Sequence, residues 1–278
     1  MQKTYNCIVL LCVLFMSTHA VLAEKYTCQS PVDMTSVINA IEDEKLIFIG
    51  ELHGSNEMPV FLSALACHYA MAGERVLVAL EMPVYQNDVL TDFVQAGNDV
   101  DAATAIDRLT TNEFWFQHGD GRQSKAMLGM INDLRQLSKG FQLDVVAVDL
   151  PQTEHDKSAI SVTRDEFMAE NIDGYIKTGI YDRILFFGGN NHTRLTKRQG
   201  VDKPIALHLK AMKPFSIVLS FKTGEVWACI NSCGLNKLEY NKGNPAPENV
   251  FLERASDDFD GIVYFSKITA SEPVFIKP

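Results

Sequence analysis

The chain has 278 residues, 46% of them hydrophobic, and a formal charge of −10 at neutral pH. That length and apolar content suffice for a sizeable core in one large domain. The charge argues against a nucleic-acid partner, because nothing offsets phosphate repulsion and Lys and Arg cluster on no segment.

The N-terminus reads as a secretory signal. Lys3 supplies a positive start, and Ile8 to Met16 is an apolar run too short to span a bilayer comfortably. Small residues precede a cut expected after Ala23, with an uncleaved anchor as the alternative. Residues 1–23 are then the signal, residues 24–278 form a single α/β domain, and the destination is the periplasm or the exterior. Cys7 and Cys12 leave with the signal. Four cysteines remain, an even number that suggests disulfides in an exported protein. Cys229 and Cys233 flank the turn-like Ile-Asn-Ser and are expected to pair. Cys28 with Cys67 follows only by elimination, and Cys67 reads equally as a buried thiol.

In chain order, Val37 to Ile41 reads as a short helix. The apolar run Leu46-Ile47-Phe48-Ile49 follows and reads as a strand buried on both faces. A helix capped by Ser55 or Asn56 comes next and ends at Gly73. Val76 to Leu80 is the second strand. Segments 85–96 and 99–109 read as helices joined at Gly97-Asn98, and 124–139 is a strongly amphipathic helix. Val145 to Val148 is the third strand. A polar loop, Gln152 to Ser158, then leads to a helix opened by Ser161 or Thr163. Ile184 to Phe187 is the fourth strand. Ser216 to Phe221 and Glu225 to Ile230 read as a hairpin around Lys222-Thr223-Gly224. A Pro/Asn/Gly-rich loop, Asn241 to Asn249, precedes a last strand at Gly261 to Phe265. The pattern predicts an α/β fold: a mostly parallel sheet flanked by helices and extended by C-terminal antiparallel strands.

The four apolar runs each end in chemistry: Glu51 and His53, Glu81, Asp149, and His192. Parallel strands share one C-terminal edge, where open α/β sheets bind ligands, so these groups are expected to converge. Glu51 and His53 lie two apart, on one side of an extended segment. A neighbouring carboxylate stabilises imidazolium, which makes His53 a candidate general base. Glu81, after five apolar residues, needs a partner such as His53 or Arg164. Asp149 follows the same logic, with a turn-shaping role as its alternative. Asp165 and Glu166 suit a helix first turn, whereas a cation there is unfavourable, so Arg164 is expected to reach a carboxylate or a substrate anion. Gly188-Gly189-Asn190-Asn191-His192 offers a second acid/base or metal ligand, with Asn190 and Asn191 amides for an oxyanion. Trp115 with Asp120 and Arg122 suits an aromatic wall and ion pair over a pocket, or a surface loop tied by its own charges. Gly-x-Ser-x-Gly, Gly-x-x-x-x-Gly-Lys and His-Glu-x-x-His are absent from the sequence.

Gly50-Glu51-Leu52-His53-Gly54, Leu80-Glu81-Met82, Arg164-Asp165-x-x-Met168-Ala169 and Gly188-x-x-x-His192 together resemble the erythromycin esterase/ChaN-like/TIKI superfamily, in the family's order. The stretches around Trp115 and Trp227 look like those of an uncharacterised group of small secreted bacterial proteins within it. The resemblance implies an α/β fold with the site at the strand C-termini. Esterase-like members open a lactone with water, and the first-motif His is their base. That role carries over to His53, supported by Glu51 and Glu81 and assisted by His192. TIKI-like members are metal-dependent proteases and ChaN-like members bind haem. A divalent metal or haem is therefore a possible cofactor, with Glu51, His53, Glu81 and His192 as candidate ligands. The expectation is an exported hydrolase acting on an ester- or amide-type small molecule. The alternative is a haem- or metal-binding protein without catalysis.

Overall fold

A computed structural model of the chain describes residues 27–116, 119–151, 162–198, 203–229, 233–239 and 251–275. The expected signal, the loops 152–158 and 241–249, Ser161 and His118 lie outside the described residues.

The order of elements is α1 (Thr35–Ala40), β1 (Leu46–Glu51), α2 (Glu57–Met71), β2 (Val76–Pro83), α3 (Asn87–Val94), α4 (Asp99–Thr110), α5 (Glu113–Phe116), α6 (Lys125–Ser138), β3 (Leu143–Asp149), α7 (Arg164–Thr178), β4 (Arg183–Gly189), α8 (Ile205–His208), β5 (Phe215–Cys229), β6 (Cys233–Glu239), β7 (Phe251–Ser256) and β8 (Phe259–Ile268). The strands form one sheet in the order β3-β2-β4-β1-β5-β8-β7, and β6 pairs with β5. The pairs from β3 across to β8 are all parallel, whereas β6 and β7 are antiparallel to their partners. This is the expected α/β fold.

The apolar runs read as strands because both sheet faces are covered. Alternate side chains take opposite faces. Ile47, Ile49, Val78, Leu80, Leu185 and Phe187 pack with α2, α3, α4 and α6. Phe48, Leu77, Ala79, Ile184 and Phe186 pack with α7 and α8. The helix ends follow local rules. Asn98, Ser124 and Thr163 accept backbone N–H groups of the first turns of α4, α6 and α7. Gly179 closes α7 in the left-handed conformation.

One expectation is corrected. Lys222-Thr223-Gly224 is not a hairpin turn, because β5 runs straight through it. A Cβ on Gly224 would lie 2.4 Å from both the Ile268 carbonyl oxygen and its side chain, so the glycine admits the neighbouring strand. The hairpin instead joins β5 to β6, with the Cys229–Cys233 disulfide at its end.

The last described segment straps two helix starts together. Asn56 N–H donates to the Thr269 carbonyl and Ser271 N–H to that of Gly54, each at 2.9 Å. Lys125 N–H donates to the Glu272 carbonyl at 2.8 Å, and Ala126 N–H to Ser271 Oγ at 2.9 Å.

The second disulfide ties Cys28 to Cys67 on α2, 39 positions apart. Closing a loop of that length restricts the unfolded chain and stabilises the fold by roughly 3–4 kcal/mol. Denaturant unfolding of the Cys28→Ser/Cys67→Ser double variant is expected to show a loss of that order; an unchanged midpoint would contradict it.

Candidate active site

The sheet order sets the site. In β3-β2-β4-β1 the neighbouring strand ends carry Asp149, Glu81, Gly189 and Glu51. Glu51 is in register with Gly189, and Pro83 with Asp149. The β2–β3 register shifts between Leu80 and Pro83, around Glu81. Such irregularities re-aim a side chain at a sheet rim.

Glu81 is the hub. It is 5% exposed, and its carboxylate faces five partners. Oε1 accepts Arg164 at 2.5 Å and lies 3.4 Å from Arg122 and 3.6 Å from His192 Nε2. Oε2 accepts Gly189 N–H at 2.6 Å and lies 3.5 Å from His53 Nε2. Burial alone would push the Glu81 carboxyl up, but His53, His192 and the two guanidiniums outweigh it and hold it well below the ordinary carboxylate range.

Asp149, 1% exposed, receives two bonds from Arg164, at 2.7 and 2.6 Å, and one from Arg122 at 2.9 Å. Arg122 also binds Asp120 Oδ2 through two nitrogens, at 2.9 and 2.6 Å. Burial favours a neutral guanidine, but Glu81 and Asp120 keep the Arg122 cation stable. Arg122 is thus a buried clamp between carboxylates. Arg164 remains open, with 35% of its side chain exposed.

Two carboxylate–imidazole pairs flank this hub. His53 Nδ1 lies 2.7 Å from Glu51 Oε1. Burial disfavours the His53 cation, yet Glu81 and Glu51 raise its pKa above the ordinary value. Burial also raises the Glu51 carboxyl, against the pull of His53. Glu51 Oε2 is buried without a hydrogen-bond partner among the described residues. His192 Nδ1 lies 2.8 Å from Asp165 Oδ1, and its Nε2 lies 3.1 Å from Arg164. Asp165 is expected from the sequence only as a first-turn acid; at 5% exposure it is far more buried than that role needs. A Cβ on Gly189 would lie 3.1 Å from His53 Nε2 and 3.5 Å from His192 Cδ2, so both rings border one glycine.

The loop bearing Asp120 packs directly on His53. Gly121 has φ +103°, and a Cβ there would come within 2.5 Å of the His53 carbonyl carbon. On another side, a Cβ at Gly54 would lie 2.1 Å from the Trp227 carbonyl oxygen. Only glycine permits both the dihedrals and the approach. Two further expectations are corrected. Trp115 is fully buried in the core, edge-on to Phe114, and forms no exposed wall. The Asn190 amide donates to the Glu51 carbonyl at 2.9 Å and is not free for an oxyanion. Asn191 is exposed beside it.

The candidate metal ligands do not fit an ion. Among the described residues, no three His, Cys, Asp or Glu side chains form a group that could hold one. Arg164 and Arg122 already supply the countercharge at Glu81. Both ring nitrogens of His53 and of His192 face protein partners.

Because its folded-state pKa is lowered, Glu81 stabilises the protein above the ordinary carboxylate range, and this contribution is lost as pH falls through it. Unfolding midpoints measured from pH 7 down to pH 3 are expected to fall more steeply for the parent than for Glu81→Gln. Parallel curves would refute this reading of Glu81.

No protein-family model matches the sequence, and no curated protein is significantly similar to it. Solved structures share its fold. A protein from Bacillus cereus is 12% identical with a TM-score of 0.60, covering 88% of this chain and 95% of its own. A mutant of erythromycin esterase EreC in its open conformation is 11% identical with a TM-score of 0.62, covering 88% and 96%. A succinoglycan biosynthesis protein is 9% identical with a TM-score of 0.59, covering 89% and 94%. At these identities the likeness concerns the fold, and the chain has the erythromycin esterase-like α/β fold.

Proposed function

We propose that the chain is an exported hydrolase that uses water to open an ester- or amide-type bond in a small molecule. The observation that carries this reading is the meeting of two carboxylate-backed imidazoles over Gly189, beside the partly exposed Arg164 side chain. One imidazole takes a proton from water, whose oxygen attacks the carbonyl carbon. Arg164 holds the developing oxyanion. The other imidazole gives a proton to the departing oxygen or nitrogen. Erythromycin esterase, which shares the fold, is an esterase by name, and an ester substrate fits this chemistry. Export rests on the signal-like residues 1–23 and is consistent with the two disulfides. Among the described residues, no helix is long and apolar enough to cross a membrane.

Purified protein is expected to turn over at least one member of a panel of small esters, lactones and amides. His53→Ala and His192→Ala should each lower kcat/KM by about 10²–10⁴-fold. A parent that cleaves nothing on the panel, or a His53→Ala variant with full activity, would refute the proposal. N-terminal sequencing of the exported chain is expected to start at Glu24.

A further inference from the structure

The two histidines meet opposite kinds of neighbour, and this determines which ring nitrogens carry protons. A guanidinium donates hydrogen bonds and accepts none. Arg164 at 3.1 Å therefore requires a bare Nε2 on His192. The ring proton then sits on Nδ1 and is donated to Asp165 Oδ1 at 2.8 Å. Asp165 is anchored in turn, since the same oxygen accepts the Ile205 N–H at 3.2 Å where α8 begins. Arg164 and Asp165, adjacent at the start of α7, thus grip opposite nitrogens of one ring. His53 has carboxylates on both sides, Glu51 at Nδ1 and Glu81 at Nε2, with Asp120 nearby. Both of its nitrogens suit protons. The charged groups facing His192 are Asp165 and Arg164 from α7 and Glu81 from β2, at 3.6 Å.

We propose that Asp165 is a positioning residue that, with Arg164 on the other nitrogen, holds His192 as the Nδ1–H imidazole, making His192 rather than His53 the base towards water and leaving His53 to supply the proton to the leaving group. This rests on the hydrolytic reading above and assigns direction to it. The Arg164 hydrogen bond yields, and His192 Nε2 takes the proton as the water O–H bond breaks. The water oxygen bonds to the carbonyl carbon, and the negative oxygen faces Arg164. On collapse, the bond to the leaving oxygen or nitrogen breaks, and that atom takes the Nε2 proton of His53. His192 then releases its extra proton to solvent and His53 regains one, so both rings return to their starting states.

The test is imidazole nitrogen NMR on histidine-labelled protein comprising residues 24–278, with His53 and His192 signals assigned by single substitutions. His192 is expected to carry its ring proton on Nδ1, with Nε2 accepting from Arg164. Asp165→Asn should weaken the Nδ1–H hydrogen bond and shift the His192 Nδ1 signal without moving the His53 signals, and Asp165→Glu should restore the parent pattern. On an identified substrate, Asp165→Asn should lower kcat by about 10²-fold or more with KM little changed. The acid limb of kcat/KM should follow the His192 titration. An Nε2 proton on parent His192, or an acid limb that follows His53 instead, would overturn the proposal; either measurement needs only parent protein, should Asp165→Asn fail to fold. If no substrate is cleaved, the hydrolytic reading and the base role fall together, and the tautomer measurement still decides what Asp165 does to the ring.

Discussion

A carboxylate buried at the end of a parallel strand is costly unless it is charged and surrounded by partners. Glu81 is in that position, and the geometry around it follows from the need. Two guanidiniums, a backbone amide and two imidazoles close in on its oxygens. They come from the loop before α6, the start of α7, the end of β4 and the turn after β1. Glu81 thereby gathers elements far apart in the sequence into a few ångströms. Asp149, one strand over, does the same for the two arginines and keeps them from spreading.

The sheet order explains why this can happen at all. The chain places its first four strands side by side with a common direction, so that each run of buried hydrophobics delivers its last polar residue to the same edge. The two histidines lie just beyond β1 and β4, which are neighbours in register. Gly188 and Gly189 leave the space that the hub occupies, since a Cβ at Gly188 would lie 2.7 Å from Glu81 Oε2.

Strands buried on both faces leave uninterrupted apolar runs, so the four central strands and their polar ends were legible in the sequence. The convergence of Glu51, His53, Glu81, Asp149 and His192 was expected from those ends, and that of Arg164 from a cation out of place at a helix start. What stayed hidden depends on contacts between distant segments. Gly224 has the composition of a turn, but it is there to admit Ile268. Trp115 sits beside charged and glycine residues, yet it points into the core. Asp165 suits a helix first turn by type, and only the approach of the His192 ring and the Ile205 amide gives it another task. Arg122 shows the same limit: its spacing from Asp120 suggested a local ion pair, whereas its reach to Asp149 needs the sheet.

The strap formed by residues 269–274 has a consequence for biosynthesis. A ribosome releases chain from the N-terminal side, so Gly54, Asn56 and Lys125 emerge long before the residues that bind them. Until those arrive, the starts of α2 and α6 have open backbone groups, and the turn holding His53 lacks the Ser271 bond to Gly54. A nascent chain can therefore assemble its central strands early, yet it acquires a fully braced rim only when translation of this last segment is done.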